Sequence, residues 1–225
     1  MRAVNDVGPP GTIILVTAAL GRYGQFEASL SRMLVPSGTT LLRLRGSSSA
    51  ASQNLGIEQR KGAWVWFIDD DHIFEPDVLL KLLAHNVDIV APLVPMRLPP
   101  YGMVLYKKLD MEEDAHGKIT NFVNQFYSFE DLNGITGLIP VQGLPKAGCL
   151  IRERVWEMMP KPIFKIGLIH PDQIEDDKYF MWEVREKYKV DLWCDTDQVI
   201  EHISTVIFGC RRTPEGEYKL TWRPD

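Results

Sequence analysis

The chain has 225 residues, 45% of them apolar and 24% charged, and its 25 basic against 30 acidic side chains give a net charge of −5. This composition excludes disordered, collagen-like and coiled-coil chains and suffices for a sizeable core, while the acidic balance argues against a duplex nucleic-acid binder held by phosphate contacts. The longest apolar run, Thr12 to Leu20, is shorter than the roughly 20 residues a membrane-spanning helix needs, and no basic signal-type start precedes it. The cysteines Cys149, Cys194 and Cys210 lack metal-type spacing and read as reduced thiols, so a soluble, cytoplasmic protein is expected.

No repeat, low-complexity tract or long linker divides the chain, which reads as a single domain over 1–225 behind a flexible tail at residues 1–10. Thr12 to Thr17 is a continuous β-branched and apolar run, as expected of a strand buried on both faces. Residues 24–34 place Phe26, Leu30, Met33 and Leu34 on one helical face. A strand fits Thr39 to Leu44, followed by the cap candidates Ser47 and Ser48 and a helix over 49–60. Trp64 to Ile68 is a third strand running into Asp69-Asp70-Asp71, a helix starts at Pro76, and Val87 to Ala91 is a fourth strand. This alternation indicates a three-layer α/β/α, mostly parallel, Rossmann-like sheet. Residues 97–140 show little periodicity and read as an irregular insertion of loops or a β-excursion. Regularity returns with a strand at 148–151, helices from Glu153 and over 174–188, and a strand over 190–194 ahead of His202.

The aspartate triplet lies at the carboxyl end of a central strand, where open α/β sheets bind ligands. Three adjacent carboxylates repel one another, and a divalent cation among them relieves that repulsion. In an extended backbone Asp69 and Asp71 share a side, so one can hold a metal while the other meets a nucleotide ribose; the alternative is a solvated acidic turn capping the next helix. Glu175-Asp176-Asp177 lies in a predicted first helical turn, where the helix dipole alone favours acids. If that turn faces the triplet across a pocket, Asp176 is the preferred base for a hydroxyl nucleophile. His202 offers a neutral imidazole as a further metal ligand, although a lone histidine is as readily a packed residue, and imidazole among oxygen donors favours Mn²⁺ without excluding Mg²⁺.

In order, Gln53-Asn54, WVWFIDDDHIFEPDVL (64–79), GCLIRERVWEMM (148–159), IEDDKYFMWEVREKYKVDLWCDT (174–196) and His202-Ile203 resemble the motifs of GT-A fold glycosyltransferases, in particular small bacterial and phage members of glycosyltransferase family 2. The resemblance implies metal-dependent transfer of a sugar from a UDP- or GDP-type donor to a glycan or other hydroxyl acceptor. It implies Asp69, Asp71 and His202 around a Mn²⁺ or Mg²⁺ ion, with Asp69 and Asp70 also beside the nucleotide. Thr17 and Ala18 would receive the base, Asn54 would belong to the donor pocket, and Gly148 with Ala147 would leave room for the sugar. Asp176, with Glu175 beside it, would take the acceptor's proton and give inversion.

The sequence departs from the family pattern at Ile174, where relatives often carry glycine, and at Gln53, where many carry arginine. The extra Asp70 and Asp177 leave the register of both acidic motifs open by one residue. Trp64, Trp66 and Trp182 fit packing better than sugar stacking. Lys107-Lys108 with Tyr101 and Tyr106 form either an acceptor-side flap or a solvated loop. A sugar nucleotidyltransferase is the nearest enzyme rival, but residues 18–24 lack the dense glycine and basic pattern of a triphosphate loop. A non-catalytic nucleotide- or sugar-binding module of the same fold is the alternative from another class, with a metal-dependent hydrolase or nuclease behind both.

Overall fold

Seven strands form the central sheet of the computed structural model, which describes residues 1–17, 24–45, 48–96, 102–165, 167–168, 173–174, 176–204 and 206–224. In chain order the first elements are β1 (Arg2–Val4), β2 (Thr12–Val16), α1 (Gly24–Arg32), β3 (Leu34–Pro36), β4 (Thr40–Leu44), α2 (Ser49–Gln59) and β5 (Trp64–Asp69). There follow β6 (His72–Ile73), α3 (Val78–Ala84), β7 (Ile89–Leu93), β8 (Tyr106–Glu113), β9 (Ile119–Phe126), α4 (Phe129–Leu132), β10 (Leu138–Val141), β11 (Leu150–Arg152) and α5 (Glu153–Met158). The chain closes with β12 (Gly167–Leu168), β13 (Gln173–Ile174), α6 (Asp176–Glu186), β14 (Leu192–Val199), β15 (Glu201–Ile203), β16 (Val206–Arg212) and β17 (Tyr218–Pro224).

The sheet order is β10-β14-β7-β11-β5-β2-β4. Strands β2, β4, β5, β7 and β14 share one direction, while β11 runs antiparallel between β5 and β7, and β10 antiparallel on the edge at β14. The central strands are apolar on both faces because both faces are covered. Ile13, Leu15, Trp64, Trp66 and Ile68 pack with Phe26 of α1 and Leu79 and Leu82 of α3. The alternate residues Ile14, Val65 and Phe67 pack with Ile57 of α2, Trp156 of α5 and Phe180 of α6. The result is the expected α/β/α arrangement with a large, mostly parallel sheet, the GT-A, Rossmann-like architecture.

Several elements differ from the sequence reading. The expected flexible tail is held in place: β1 pairs in parallel with β3, from Arg2↔Leu34 to Val4↔Pro36. The third helix begins at Val78 rather than Pro76, because the short strand β6 and a turn occupy the start of that segment. The insertion read as loops or a β-excursion contains the second: it carries the hairpin β8–β9, with Tyr106, Leu109, Met111 and Ile119 buried in the core. Its alternation was hidden because a register shift between Tyr106 and Lys108 exposes two lysines in a row and resets the phase. Beyond His202 the chain adds the hairpin β16–β17, giving a second sheet of order β17-β16-β15-β6.

The tryptophans serve the packing that their spacing suggested. Trp64 Nε1 donates to the Pro9 carbonyl at 2.9 Å and Trp66 Nε1 to the Gly148 carbonyl at 2.8 Å, while Trp182 is buried. Among the described residues no helix is long and apolar enough to cross a membrane. All three cysteines are free and buried, and burial pushes the Cys149 and Cys194 thiols well up and the Cys210 thiol up to about 12. The folded protein is expected to resist a thiol-specific reagent at pH 8 and to release all three thiols only with unfolding, read by reagent titration before and after denaturant; rapid labelling of the native protein would contradict this burial.

Candidate active site

The continuous apolar run of β5 ends on Asp69, and the chain turns through Asp70 and Asp71 into β6. Strand β6 pairs antiparallel with β15, which sets His72 opposite His202, and the Ile203 amide donates to the Asp71 carbonyl at 2.7 Å. Directly opposed residues present their side chains on one face of a strand pair, and the two imidazoles meet edge to face with centroids 4.9 Å apart. Asp71 lies beside both: its Oδ2 is 3.2 Å from His202 Nε2 and its Oδ1 is 3.9 Å from His72 Nε2. One ligand atom from each of Asp71, His72 and His202 lies within 4.8 Å of the others. Asp71 and His202 were expected there from sequence; His72 was not.

Protonation shows what this cluster is suited to hold. His202 Nδ1 is 3.1 Å from the Pro95 carbonyl, which can only accept, so Nδ1 carries a proton. In the neutral ring Nε2 is then an acceptor facing a second acceptor, Asp71 Oδ2, and the pair is stable only with a further proton or a cation between them. His72 is fully buried, and its Nδ1 has no hydrogen-bond partner. Burial, reinforced by His202 and opposed by Asp69 and Asp71, lowers its pKa to about 4, so it is a neutral imidazole near pH 7, the form in which histidine ligates a metal. A carboxylate and two imidazoles with their ligand atoms this close together therefore fit a divalent cation.

The other expected residues lie outside this cluster. Asp69 points its Oδ1 toward Lys146 Nζ at 3.7 Å, outside the close Asp71-His72-His202 group, and Asp70 is buried. Thr17 closes the end of β2, its amide donating to the Leu44 carbonyl at 3.0 Å. Asn54 Oδ1 accepts from the Ile163 and Phe164 amides and its Nδ2 donates to the Phe164 carbonyl, pinning that loop to α2. Gly148, at φ +88°, is demanded by the backbone, since a Cβ there would lie 3.1 Å from Ile200 and 3.3 Å from Pro92. Its amide donates to the Phe67 carbonyl and its own carbonyl receives Trp66, so close packing accounts for this glycine. Asp176 opens α6 and buries its Oδ2 without a hydrogen-bond partner. Ala18 and Glu175 lie outside the described residues.

Two participants carried no motif. Lys146 sits in the turn before β11, is nine-tenths buried, and donates to Ser49 Oγ at 3.2 Å. Glu113, at the end of β8, accepts from Tyr179 of α6 at 3.0 Å and pairs with Lys187 at 2.8 Å, tying the helix that carries Asp176 to the hairpin.

His72 gives the site a measurable pH signature. The unfolded chain protonates this residue near pH 6.5 and the native chain only near 4, so between those values the unfolded state binds more protons and stability rises with pH. In chelator-treated protein, denaturant titrations from pH 6.5 down to 4 should show a falling stability whose slope is shallower in His72→Gln, by at most ~1.4 kcal/mol per pH unit. Equal slopes in both proteins would contradict a buried neutral His72.

Comparison with known proteins bears on the family and the fold. Residues 36–130 match a family model described as glycosyl transferase family 2, a segment that contains Asn54, Asp69, Asp71 and His72 but ends before Lys146, Asp176 and His202. Over the whole chain the fold is similar to that of A197 from STIV, at 15% identity and TM-score 0.59, covering 95% of this chain and 94% of that one. HddC from Yersinia pseudotuberculosis (9% identity, 85% and 93% coverage) and residues 1–349 of TarS from S. aureus (10%, 82% and 60%) align at TM-scores of 0.42 and add nothing to the fold assignment. A search of the curated proteins found no match. The chain is thus similar to glycosyl transferase family 2 through residues 36–130 and carries a GT-A-like α/β fold along its length.

Proposed function

We propose that the protein is a metal-dependent glycosyltransferase, acting as a single domain, that moves a sugar from a UDP- or GDP-type donor to an acceptor hydroxyl. The observation that carries this reading is the Asp71-His72-His202 cluster, whose Asp71 and His72 follow β5 inside the segment 36–130 that matches a glycosyltransferase family, with His202 brought to them by β15. The ligand end of an open α/β sheet is where such a donor binds. Asp71, His72 and His202 would hold the cation, and the two imidazoles favour Mn²⁺ over Mg²⁺. A cation bound there supplies positive charge against the negative charge that develops as the diphosphate departs.

The remaining roles belong to the chain's own residues. Asp69, a third of whose side chain is exposed, is suited to the nucleotide side of the pocket, with Thr17 at the end of β2 on the side of the base. Asp176 keeps one carboxylate oxygen without a hydrogen bond, leaving a lone pair for the acceptor's proton. In one displacement the acceptor oxygen bonds to the anomeric carbon, the bond from that carbon to the phosphate oxygen breaks, and the hydroxyl proton passes to Asp176. Attack from the face opposite the leaving group inverts the configuration.

Calorimetry with UDP, GDP, CDP and ADP, with and without Mn²⁺, tests this reading. Tight binding of one nucleotide only with Mn²⁺, weakened at least tenfold in Asp71→Ala and in His72→Ala, is the expected result. Asp176→Asn should retain that binding while turnover falls by about 10²-fold or more, the usual worth of a general base. Failure of all four nucleotides to bind, with and without Mn²⁺, would overturn the transferase reading.

A further inference from the structure

The turn Lys146–Cys149 is fastened to β5. The Gly148 amide donates to the Phe67 carbonyl at 2.7 Å, the Phe67 amide to the Cys149 carbonyl at 3.0 Å, and the Cys149 amide to the Lys146 carbonyl at 2.9 Å. This fastening holds the Lys146 side chain between Asp69 and the first turn of α2. Its Nζ donates to Ser49 Oγ at 3.2 Å and lies 3.7 Å from Asp69 Oδ1, beyond hydrogen-bond range. Ser49 Oγ is in turn held by Gln53 Nε2 at 2.6 Å, and Gln53 is fully buried. An ammonium group has three donors, and among the described residues Lys146 uses one.

A lysine that is 9% exposed, with unused donors and only a long ionic contact, is not explained by folding alone, because burying an ammonium is costly unless it is fully hydrogen-bonded. Helix α2 adds to the local positive potential: it runs eleven residues, is capped by Ser48, and has no acidic residue in its first turn. Positive charge from Lys146 and from the start of α2 thus gathers beside Asp69 at the end of β5, the strand that leads into Asp71, an arrangement complementary to a phosphate group.

We propose that Lys146 is a diphosphate-binding residue, whose ammonium takes part of the negative charge of the nucleoside diphosphate as the sugar leaves. This rests on the transferase reading above. A role confined to neutralising Asp69 would leave the ammonium without a phosphate contact, and the two roles differ in what they do to ligands of different phosphate number.

The test uses the nucleotide that the wild-type protein binds best with Mn²⁺ among UDP, GDP, CDP and ADP, together with its monophosphate, titrated into wild type, Lys146→Met and Lys146→Arg. The expected result is at least a tenfold weaker diphosphate affinity in Lys146→Met, less than a threefold change for the monophosphate, and recovery of most of the loss in Lys146→Arg. An unchanged diphosphate affinity, or equal losses for both nucleotides, overturns the proposal while leaving the transferase reading intact. Should Lys146→Met fail to fold, Lys146→Gln replaces it with the same expected outcomes. A wild-type protein that binds none of the diphosphates removes the transferase reading, and this inference with it.

Discussion

Pairing between two very short strands, β6 and β15, is the constraint on which the site depends. That pairing sets His72 opposite His202 and carries both to Asp71 at the end of β5. A two-residue strand cannot hold such a register by itself, and the surrounding sheet provides the support: β15 pairs with β16, and β16 with β17 along its length. Arg212 of β16 stacks on the Tyr218 ring, with its guanidinium carbon 4.9 Å from the centroid, and Tyr218 OH donates to the Thr196 carbonyl of β14. The C-terminal hairpin is therefore the buttress of the histidine pair, and the His202–Pro95 hydrogen bond fixes which ring nitrogen faces Asp71.

The central sheet supplies the rigid platform behind this cluster. Strands covered on both faces leave little freedom for β5 to shift, and Asp69 to Asp71 inherit that rigidity at its end. Helix α6, which carries Asp176, is held differently. Helix α6 is fixed by an aromatic stack, Trp156 on Phe180 at 5.7 Å, and by charge pairs: buried Glu183 takes both Lys165 contacts at 3.0 Å, and Glu113 joins Tyr179 and Lys187. Asn54 extends this fixation from α2 to Phe164, whose ring lies 4.9 Å from Phe180. Asn54 thus belongs to the frame that positions the helix of Asp176.

Much of the architecture was legible because the relevant signals are local. The runs Thr12 to Thr17, Trp64 to Ile68 and Val87 to Ala91 announce strands, found at Thr12–Val16, Trp64–Asp69 and Ile89–Leu93, and the aspartates after Trp64 to Ile68 mark a ligand end whatever the fold family. Other features depend on information that no short window contains. His72 becomes a candidate ligand only through its register with β15, far along the chain, and without that pairing it reads as part of a connection. Lys146 is a single lysine in a turn, and its burial follows from the fastening of that turn to β5. The β8–β9 hairpin was masked by its bulge, and Gly148 reads equally well as room for a sugar or as a backbone that tolerates no Cβ.

The proposed transfer requires a cation held by one carboxylate and two imidazoles. Pulsed electron paramagnetic resonance of the Mn²⁺-loaded protein tests this directly, because imidazole nitrogens bound to the metal give resolved couplings. The structure predicts couplings from two histidine nitrogens, reduced to one in His72→Gln and in His202→Gln. Bound Mn²⁺ without any nitrogen coupling, or with the same couplings in both variants as in the wild type, would contradict it.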